Sequence, residues 1–175
     1  FLVQRFDRTD AGQRLHFSSA MTQTGHRDGD DHASGASYLE MAEFLMRHGS
    51  DVKADLAELF KRIVFNILVS NCDDHLRNHG FILQPGKGWA LSPAYDINPV
   101  PYADGLKLNI SDADNALDLE LVLSVADYFR IQKAEARTLV ENMRATIGAN
   151  WQKVAKLLGL GANEVERMAP AFRLT

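Results

Sequence analysis

One long amphipathic helix constrains this chain more than any other feature of its sequence. Apolar side chains recur at intervals of three and four residues over about 51–70, which places them along one side of a helix. Phe65 and Val69 widen this apolar side, so we predict a central and largely buried helix. The apolar positions of the repeat are Val52, Leu56, Leu59, Phe60, Ile63, Val64, Ile67 and Leu68.

A β-hairpin is predicted shortly after this helix. The segments 79–84 and 89–91 have the character of two short strands, and the sequence Pro-Gly-Lys-Gly at 85–88 is typical of the turn between them. The segment 92–99 leaves the hairpin as a loop. Three of the five prolines lie between 93 and 101, which excludes a helix there.

The remaining segments predict a mainly helical domain. We expect a strand over 1–7 and a long polar loop over 8–37, which is rich in Gly, Ser and Asp. Further helices are predicted over 38–48, 118–129, 133–147, 151–158 and 164–173. The predicted fold class is therefore mainly α with a small β-hairpin (α+β).

Composition excludes several classes of protein. The chain of 175 residues has 19 Lys and Arg against 23 Asp and Glu, a mildly acidic balance that argues against a dedicated nucleic-acid or membrane-surface binder. No run of apolar residues is long enough to span a membrane. The single cysteine, Cys72, cannot form an internal disulfide, so a reducing, cytoplasmic setting is expected.

Three polar residues around the hairpin form the candidate site. Asp73 and Asn78 lie five apart between the long helix and the first strand, and Asp96 follows the second strand. This is the order of parts in the catalytic lobe of a protein kinase, where the first Asp accepts the proton of the substrate hydroxyl and the other two residues hold Mg²⁺. Carboxylate and amide oxygens are ligands that this hard cation prefers.

Two other interpretations remain open on the residues alone. Asp73, Asn78 and Asp96 are all common in turns and have a purely structural explanation there. Alternatively, carboxylates and imidazoles of this region would form a metal-hydrolase cluster. The residues of that cluster would be Asp73, Asp74, His75, His79 and Asp96.

Two longer motifs resemble the HipA-like serine/threonine kinases, which are toxin components of bacterial toxin–antitoxin pairs. They are Asn-Cys-Asp-Asp-His-Leu-Arg-Asn at 71–78 and Trp-Ala-Leu-Ser-Pro-Ala-Tyr-Asp-Ile at 89–97. Phe-Asp-Arg at 6–8 and Arg-Leu-His at 14–16 are also similar to this family. The resemblance implies a protein-kinase-like C-terminal lobe over 1–175, with a hinge strand at 1–7, the catalytic parts at 38–101 and a helical subdomain at 102–175.

The resemblance also implies a role for each motif residue in the chemistry. Asp73 matches the catalytic aspartate, and Asn78 and Asp96 match the magnesium ligands. His75 matches a histidine close to the nucleotide and is counted among the catalytic and nucleotide-binding residues. The implied cofactors are ATP and Mg²⁺.

The hinge segment at the start of the chain is implied to contact the adenine of ATP. Its residues in this sequence are Gln4, Phe6 and Asp7. The family's N-terminal lobe, which supplies the loop over the phosphates and a lysine that pairs with ATP, does not match any part of this sequence. We therefore expect the 175 residues alone to bind ATP weakly and to transfer phosphate poorly.

Partners are likewise implied by the resemblance. Family members phosphorylate serine or threonine on proteins, aminoacyl-tRNA synthetases among them. A helix-turn-helix antitoxin would bind the kinase and would provide the contact with DNA; no membrane is implied. Two further hypotheses are kept beside the toxin kinase: a small-molecule kinase of related architecture, and a kinase-shaped interaction module without activity.

Overall fold

The long helix that the sequence predicts forms the centre of the structure, a computed structural model that describes residues 5–102 and 104–174. This helix, α3, spans Val52–Leu68, and its N-terminus is capped by the Asp51 side chain, which accepts a hydrogen bond from the Ala54 amide. Its apolar side is fully buried from Leu56 to Leu68. The preceding helix α2, Tyr38–His48, packs against it and contributes Met41 and Leu45 to the same core.

The predicted hairpin is present and carries a third strand. Strands β2 (Gly80–Gln84) and β3 (Gly88–Leu91) pair antiparallel, and β1 (Phe17–Ser19) pairs with the other edge of β2. Gly88 requires its small size, because a Cβ there would lie 2.5 Å from the His48 carbonyl oxygen and its φ is +113°. This close approach fixes the hairpin against the end of α2.

The prediction of a long polar loop over 8–37 is wrong, because the segment contains regular elements. That segment contains β1, the short helix α1 (Ala20–Thr24) and a 3₁₀ turn over His32–Ser34. Its polar residues cap these elements: Ser19 accepts from the Thr22 amide, and Asp31 from the Ala33 amide. Such caps have the same composition as a loop, and β1 is stabilised by pairing with a distant strand, so local sequence did not reveal them.

The strand predicted over 1–7 is also not seen where it can be assessed. Residues 5–7 have no strand pairing, and an isolated antiparallel bridge joins Arg8 to Arg14 just beyond them. Residues 1–4 lie outside the described part of the chain. The segment near residue 6 therefore reaches the sheet through its side chains and not as a fourth strand.

The C-terminal region is helical as predicted, with different boundaries. The predicted helix 118–129 divides into α4 (Leu119–Ser124) and a 3₁₀ turn over Ala126–Phe129. The two helices predicted over 133–147 and 151–158 are one helix, α5 (Lys133–Leu157), because a glycine inside a helix costs only about 1 kcal/mol and Gly148 does not end it. Helix α6 (Ala162–Met168) and a final 3₁₀ turn over Ala169–Phe172 follow.

These elements give a mainly helical protein with a three-stranded antiparallel sheet, so the predicted α+β class is confirmed. The core is continuous around α3 and includes β2 and the residues before α5. Among the residues described, no helix has the length and apolar character needed to cross a membrane.

Candidate active site

The segment between α3 and β2 is held in a defined loop by its own backbone. The Asn71 amide donates to the Asn66 carbonyl at 2.8 Å, and the Asn78 amide donates to the His75 carbonyl at 2.8 Å. Ser70 has a φ of +52°, which turns the chain sharply as it leaves the helix. Residues 70–79 form the candidate catalytic loop, which is called the catalytic loop below.

A buried carboxylate anchors this loop to the core. Asp74 is 1% exposed, and its Oδ2 accepts hydrogen bonds from Tyr38 Oη at 2.5 Å and Asn66 Nδ2 at 2.8 Å. The His79 Nε2 lies 2.8 Å from the same oxygen, and Asn71 Nδ2 donates to Asn66 Oδ1 at 3.1 Å. Burial, together with the charge of Asp74, raises the pKa of Tyr38 well above its usual value, so its hydroxyl stays a donor. The loop is thereby fixed to α2 through Tyr38 and to α3 through Asn66, and its own His79 joins the same network.

The preceding carboxylate has the opposite environment. The Asp73 side chain is 67% exposed, and Lys107 Nζ lies 2.9 Å from its Oδ1. The hydrogen bond from Lys107 lowers the pKa of Asp73. Asp73 is therefore a negatively charged, solvent-accessible group on a loop that is otherwise fixed, which suits a proton acceptor.

Asn78 is brought next to Asp73 by the fold of the loop. It is 7% exposed, and its Nδ2 lies 3.4 Å from the Asp73 carbonyl oxygen, to which it donates. Since the amide nitrogen is used there, the Oδ1 atom is the one available to a cation. The D-x-x-x-x-N spacing thus places the Asn78 side chain against the backbone of Asp73.

Asp96 is connected to this loop through its neighbour. The Tyr95 hydroxyl donates to the Arg77 carbonyl at 2.7 Å, which ties the residue before Asp96 to the residue before Asn78. Burial raises the pKa of Tyr95 to about 12, so this donor is retained at neutral pH. Asp96 itself is exposed, has a φ of +55° and accepts from Asn98 Nδ2 at 2.9 Å. A left-handed backbone at a non-glycine residue is sparsely populated and often found at functional sites.

His75 lies beside a small polar cavity next to Asp73. Its Nε2 is 3.1 Å from Arg77 Nη2, and its buried Nδ1 has no hydrogen-bond partner among the described residues. The cavity has a volume of about 60 Å³, and charged side chains of both signs line it, among them Arg27, Asp30, Asp31 and Lys107. A buried polar atom without a partner beside such side chains is suited to contact with a polar ligand.

Comparison with known proteins gives the family. Residues 1–151 match the sequence model described as the HipA-like C-terminal domain. The chain belongs to the HipA-like C-terminal domain family. The family predicted from the two motifs is thereby confirmed.

Named relatives are longer than this HipA-like chain. A protein of Sinorhizobium fredii named "Putative kinase Y4dM" is 30% identical across 98% of this chain, which spans 43% of that relative. A protein of Haemophilus influenzae named "Putative kinase" is 32% identical over 109 residues, or 58% of this chain and 32% of the relative. The chain therefore spans less than half the length of these curated relatives.

A solved structure shows the same HipA-like fold. It is HipA of Shewanella oneidensis MR-1 in a complex with HipB and operator DNA, with a TM-score of 0.76 and 18% identity. The similarity covers 98% of this chain and 46% of that one. The predicted protein-kinase-like C-terminal lobe is thus confirmed as a fold.

Of the predicted hinge residues, Phe6 contacts the site and Asp7 pairs with arginines near it in sequence. The Phe6 ring centroid lies 5.5 Å from that of Tyr95 and 5.7 Å from that of Phe17, so three aromatic rings meet near the start of β1. The Asp7 carboxylate accepts from Arg5 and Arg8 instead, and the hydrogen bond from Arg5 is the main cause that lowers the pKa of Asp7 to about 2. Gln4, the third hinge prediction, lies outside the described residues.

The positions of the carboxylate and imidazole side chains do not support the metal-hydrolase alternative. Within residues 5–102 and 104–174, no three or more His, Cys, Asp or Glu side chains come together as a potential metal site. Asp74 and His79 are paired with each other inside the core, away from the exposed Asp73. A site of one carboxylate and one amide oxygen fits Mg²⁺ better, since this ion takes few protein ligands and completes its shell with phosphates and water.

Sequence reasoning missed several residues of the HipA-like site. Asn66 had a visible signal, because it is one of two polar residues, with Arg62, on the mainly apolar buried face of α3. Tyr38 and Lys107 had none, since each reaches the catalytic loop from a segment distant in sequence. Tyr95 lay within the recognised motif, but its hydrogen bond to Arg77 depends on the folded loop.

Proposed function

We propose that this chain is the catalytic lobe of a serine/threonine protein kinase, the toxin component of a bacterial toxin–antitoxin pair. The observation that carries the proposal is the contrast within one loop: Asp74 is buried and hydrogen-bonded, while Asp73 is exposed and charged beside Asn78. Membership of the HipA-like family and the names of its relatives support it.

In the proposed reaction Asp73 acts as the base. The acceptor hydroxyl oxygen forms a bond to the γ-phosphorus of ATP, and its proton passes to the Asp73 carboxylate. The bond from the γ-phosphorus to the bridging oxygen breaks, and ADP leaves with that electron pair. Asp74 and its hydrogen-bond partners fix the backbone of the loop and thereby position Asp73.

The residues around Asp73 suit a magnesium nucleotide. Asn78 Oδ1 and the Asp96 carboxylate would hold Mg²⁺, which neutralises charge that develops on the phosphates. The rings of Phe6, Phe17 and Tyr95 offer an apolar surface for the adenine, and His75 has a nitrogen free for a polar group of the nucleotide. These four side chains orient the nucleotide and Asp73 orients the acceptor.

Partners follow from the same family assignment. The Shewanella HipA structure is a complex with HipB and operator DNA. By that likeness we propose a helix-turn-helix antitoxin as the partner of this protein, with DNA bound indirectly through it. The proposed substrate class is a protein serine or threonine, as on an aminoacyl-tRNA synthetase.

The test is intact mass after incubation with Mg-ATP, using the full natural protein that contains this sequence. We expect an added phosphoryl group in the wild-type protein and none after Asp73→Asn. The matched control is Asp127→Asn, which changes an exposed aspartate after α4 and should leave phosphorylation intact. Melting temperature with and without Mg-ATP is measured in parallel, because a ligand of the folded state must raise it.

The outcomes separate the hypotheses. Phosphorylation in wild type and in Asp127→Asn but not in Asp73→Asn supports the proposal. Equal phosphorylation in Asp73→Asn contradicts the role of this residue. Neither phosphorylation nor a melting-temperature shift with Mg-ATP contradicts the kinase and favours an interaction module.

A further inference from the structure

Lys107 lies on a segment whose backbone is held on both sides. The Lys107 carbonyl accepts from the His32 amide at 2.6 Å. Two residues further on, the Asn109 amide donates to the Ala36 carbonyl at 2.9 Å, and the Asn109 carbonyl accepts from the Tyr38 amide at 3.0 Å. The main chain at Lys107 is therefore fixed relative to the start of α2, which also carries the Tyr38 anchor of the catalytic loop.

Lys107 is an exposed residue between two buried leucines. Leu106 and Leu108 are 1% and 0% exposed and belong to the core, whereas Lys107 between them is 48% exposed. Because both neighbouring leucines are buried in the core, the Lys107 side chain is left on the solvent side of the segment. Its ammonium group meets Asp73 Oδ1 at 2.9 Å.

Stability alone is a weak explanation for this ion pair. Lys107 and Asp73 are about half and two thirds exposed, and exposed pairs of this kind contribute about 0–1 kcal/mol. The rest of the segment is held by the leucines and by the backbone hydrogen bonds, which do not need the ammonium group.

The position of the ammonium group has a chemical consequence. A hydroxyl bound to Asp73 and ready to attack lies about 3 Å from both the carboxylate and the phosphorus. Lys107 Nζ, which lies 2.9 Å from the carboxylate, is then at most about 9 Å from the phosphorus. A lysine side chain covers the remaining distance to a phosphoryl oxygen by rotating about its own bonds.

We propose that Lys107 is a catalytic residue that moves from Asp73 to the transferred phosphoryl group during turnover. This inference rests on the proposed kinase function. In the free protein the Lys107 ammonium group pairs with the Asp73 carboxylate. When the acceptor hydroxyl forms a hydrogen bond to that carboxylate, Lys107 contacts an equatorial oxygen of the γ-phosphoryl group instead. Charge that spreads over these oxygens in the transition state is then stabilised by a cation that this lobe itself supplies.

The test compares Lys107→Met and Lys107→Arg in the full natural protein, with Lys153→Met as the control. Lys153 is exposed on the second half of α5. The rate of ADP release is measured against Mg-ATP concentration to give kcat and KM, and melting temperature is measured for each variant. We expect Lys107→Met to lower kcat by about tenfold or more with KM and melting temperature close to wild type, because the lost contact forms mainly in the transition state.

Lys107→Arg should recover part of kcat, since the positive charge remains although the guanidinium geometry differs. A kcat within twofold of wild type in Lys107→Met overturns the inference and leaves the kinase standing. An effect confined to KM for ATP, or equal losses in both variants with a fall in melting temperature, also overturns it. Absence of both ADP release and a melting-temperature shift with Mg-ATP in the wild-type protein rejects the proposed function itself.

Discussion

At the scale of single residues, environment separates two adjacent carboxylates. Asp74 is enclosed by hydroxyl, amide and imidazole groups, and Asp73 faces solvent and one lysine. Burial of an ionised carboxylate is costly unless such partners are present, so Asp74 is suited to anchoring the loop. Asp73 is left with the accessible charge that a base needs.

Removing one partner of Asp74 tests this anchoring role. Tyr38→Phe deletes the hydroxyl that donates to Asp74 and leaves the ring in place. The variant should lower the free energy of unfolding by about 1–3 kcal/mol, because a buried acceptor loses a hydrogen bond. Urea denaturation followed by circular dichroism measures it.

Tyr128→Phe is the matched control for this change. Tyr128 is 54% exposed, and the same loss of a hydroxyl should leave the unfolding free energy within about 0.5 kcal/mol of wild type. Equal stabilities for the Tyr38 and Tyr128 variants would mean that the hydrogen bond to Asp74 does not anchor the loop.

A residue of the site could be predicted from the sequence when it lies close in sequence to the other residues of the site. Asp73, Asn78 and Asp96 were selected from spacing, the order of elements and the family motifs, and their chemical roles remain predictions. Tyr38 and Lys107 reach the loop from 36 and 34 residues away by sequence number, and a single sequence contains no signal for such contacts.

At the scale of elements, periodicity succeeded where an element buries a continuous face. Helix α3 and the β2–β3 hairpin were predicted because their patterns extend over many residues. Strand β1 and helix α1 span three and five residues, too few for a pattern to emerge. Their existence depends on β2 and on caps such as Ser19.

One contact joins the segment after α1 to α2 and predicts a dependence on pH. His26 Nδ1 lies 3.0 Å from Asp30 Oδ2 and its Nε2 lies 3.0 Å from Glu40 Oε1. Burial lowers the pKa of His26, but the hydrogen bonds from its ring to Glu40 and Asp30 outweigh this and raise it above 6.5. The folded state therefore binds the proton more tightly than the unfolded chain.

The sign of the pH effect follows from this linkage. The extra stability from protonated His26 is fully present below pH 6.5, the value of the unfolded chain, and is lost as pH rises through the raised pKa. The difference in unfolding free energy between wild type and His26→Gln should accordingly shrink from pH 6 to pH 8. Denaturant titrations at both values measure it, with His32→Gln, a change at an exposed histidine nearby, as the reference.

A gap that stays constant or widens over this range would show that His26 is held in its neutral form. In that event the two carboxylates would contact the imidazole without stabilising a charge on it.

At the scale of the whole molecule, the C-terminal end is attached more loosely than the rest. Only Ala136 and Val140 of α5 are fully buried, whereas Val154, Leu157 and Leu158 near its end are exposed. The family model ends at residue 151, whose ring contacts the final turn. There the Trp151 and Phe172 rings stack with centroids 4.3 Å apart and an angle of 9° between planes.

The loose attachment predicts separate opening of this end. Trp151→Ala should lower the free energy of local opening over 162–172 by about 1–3 kcal/mol, since it removes a stacked ring that is partly buried. Hydrogen exchange should accelerate in α6 and the last turn and remain slow in α3. Leu157→Ala, at a side chain that is 86% exposed, serves as the comparison and should leave both regions unchanged.

Acceleration in α3 of the same size as in α6 would instead mean that the two regions unfold as one unit. Helix α5 is continuous across Gly148, so it can remain intact after α6 and the final turn have opened. This continuity is consistent with separate opening.

The Asp74 network also has a consequence for how the protein is made. Its members come from the start of α2, the end of α3, the catalytic loop and the residue before β2. The complete network therefore forms only when all of these segments are present and folded together. A growing chain that has emerged only as far as α3 contains neither Asp74 nor His79, so the network cannot yet form. The loop that carries Asp73 can therefore gain all of these hydrogen bonds only after synthesis has passed His79.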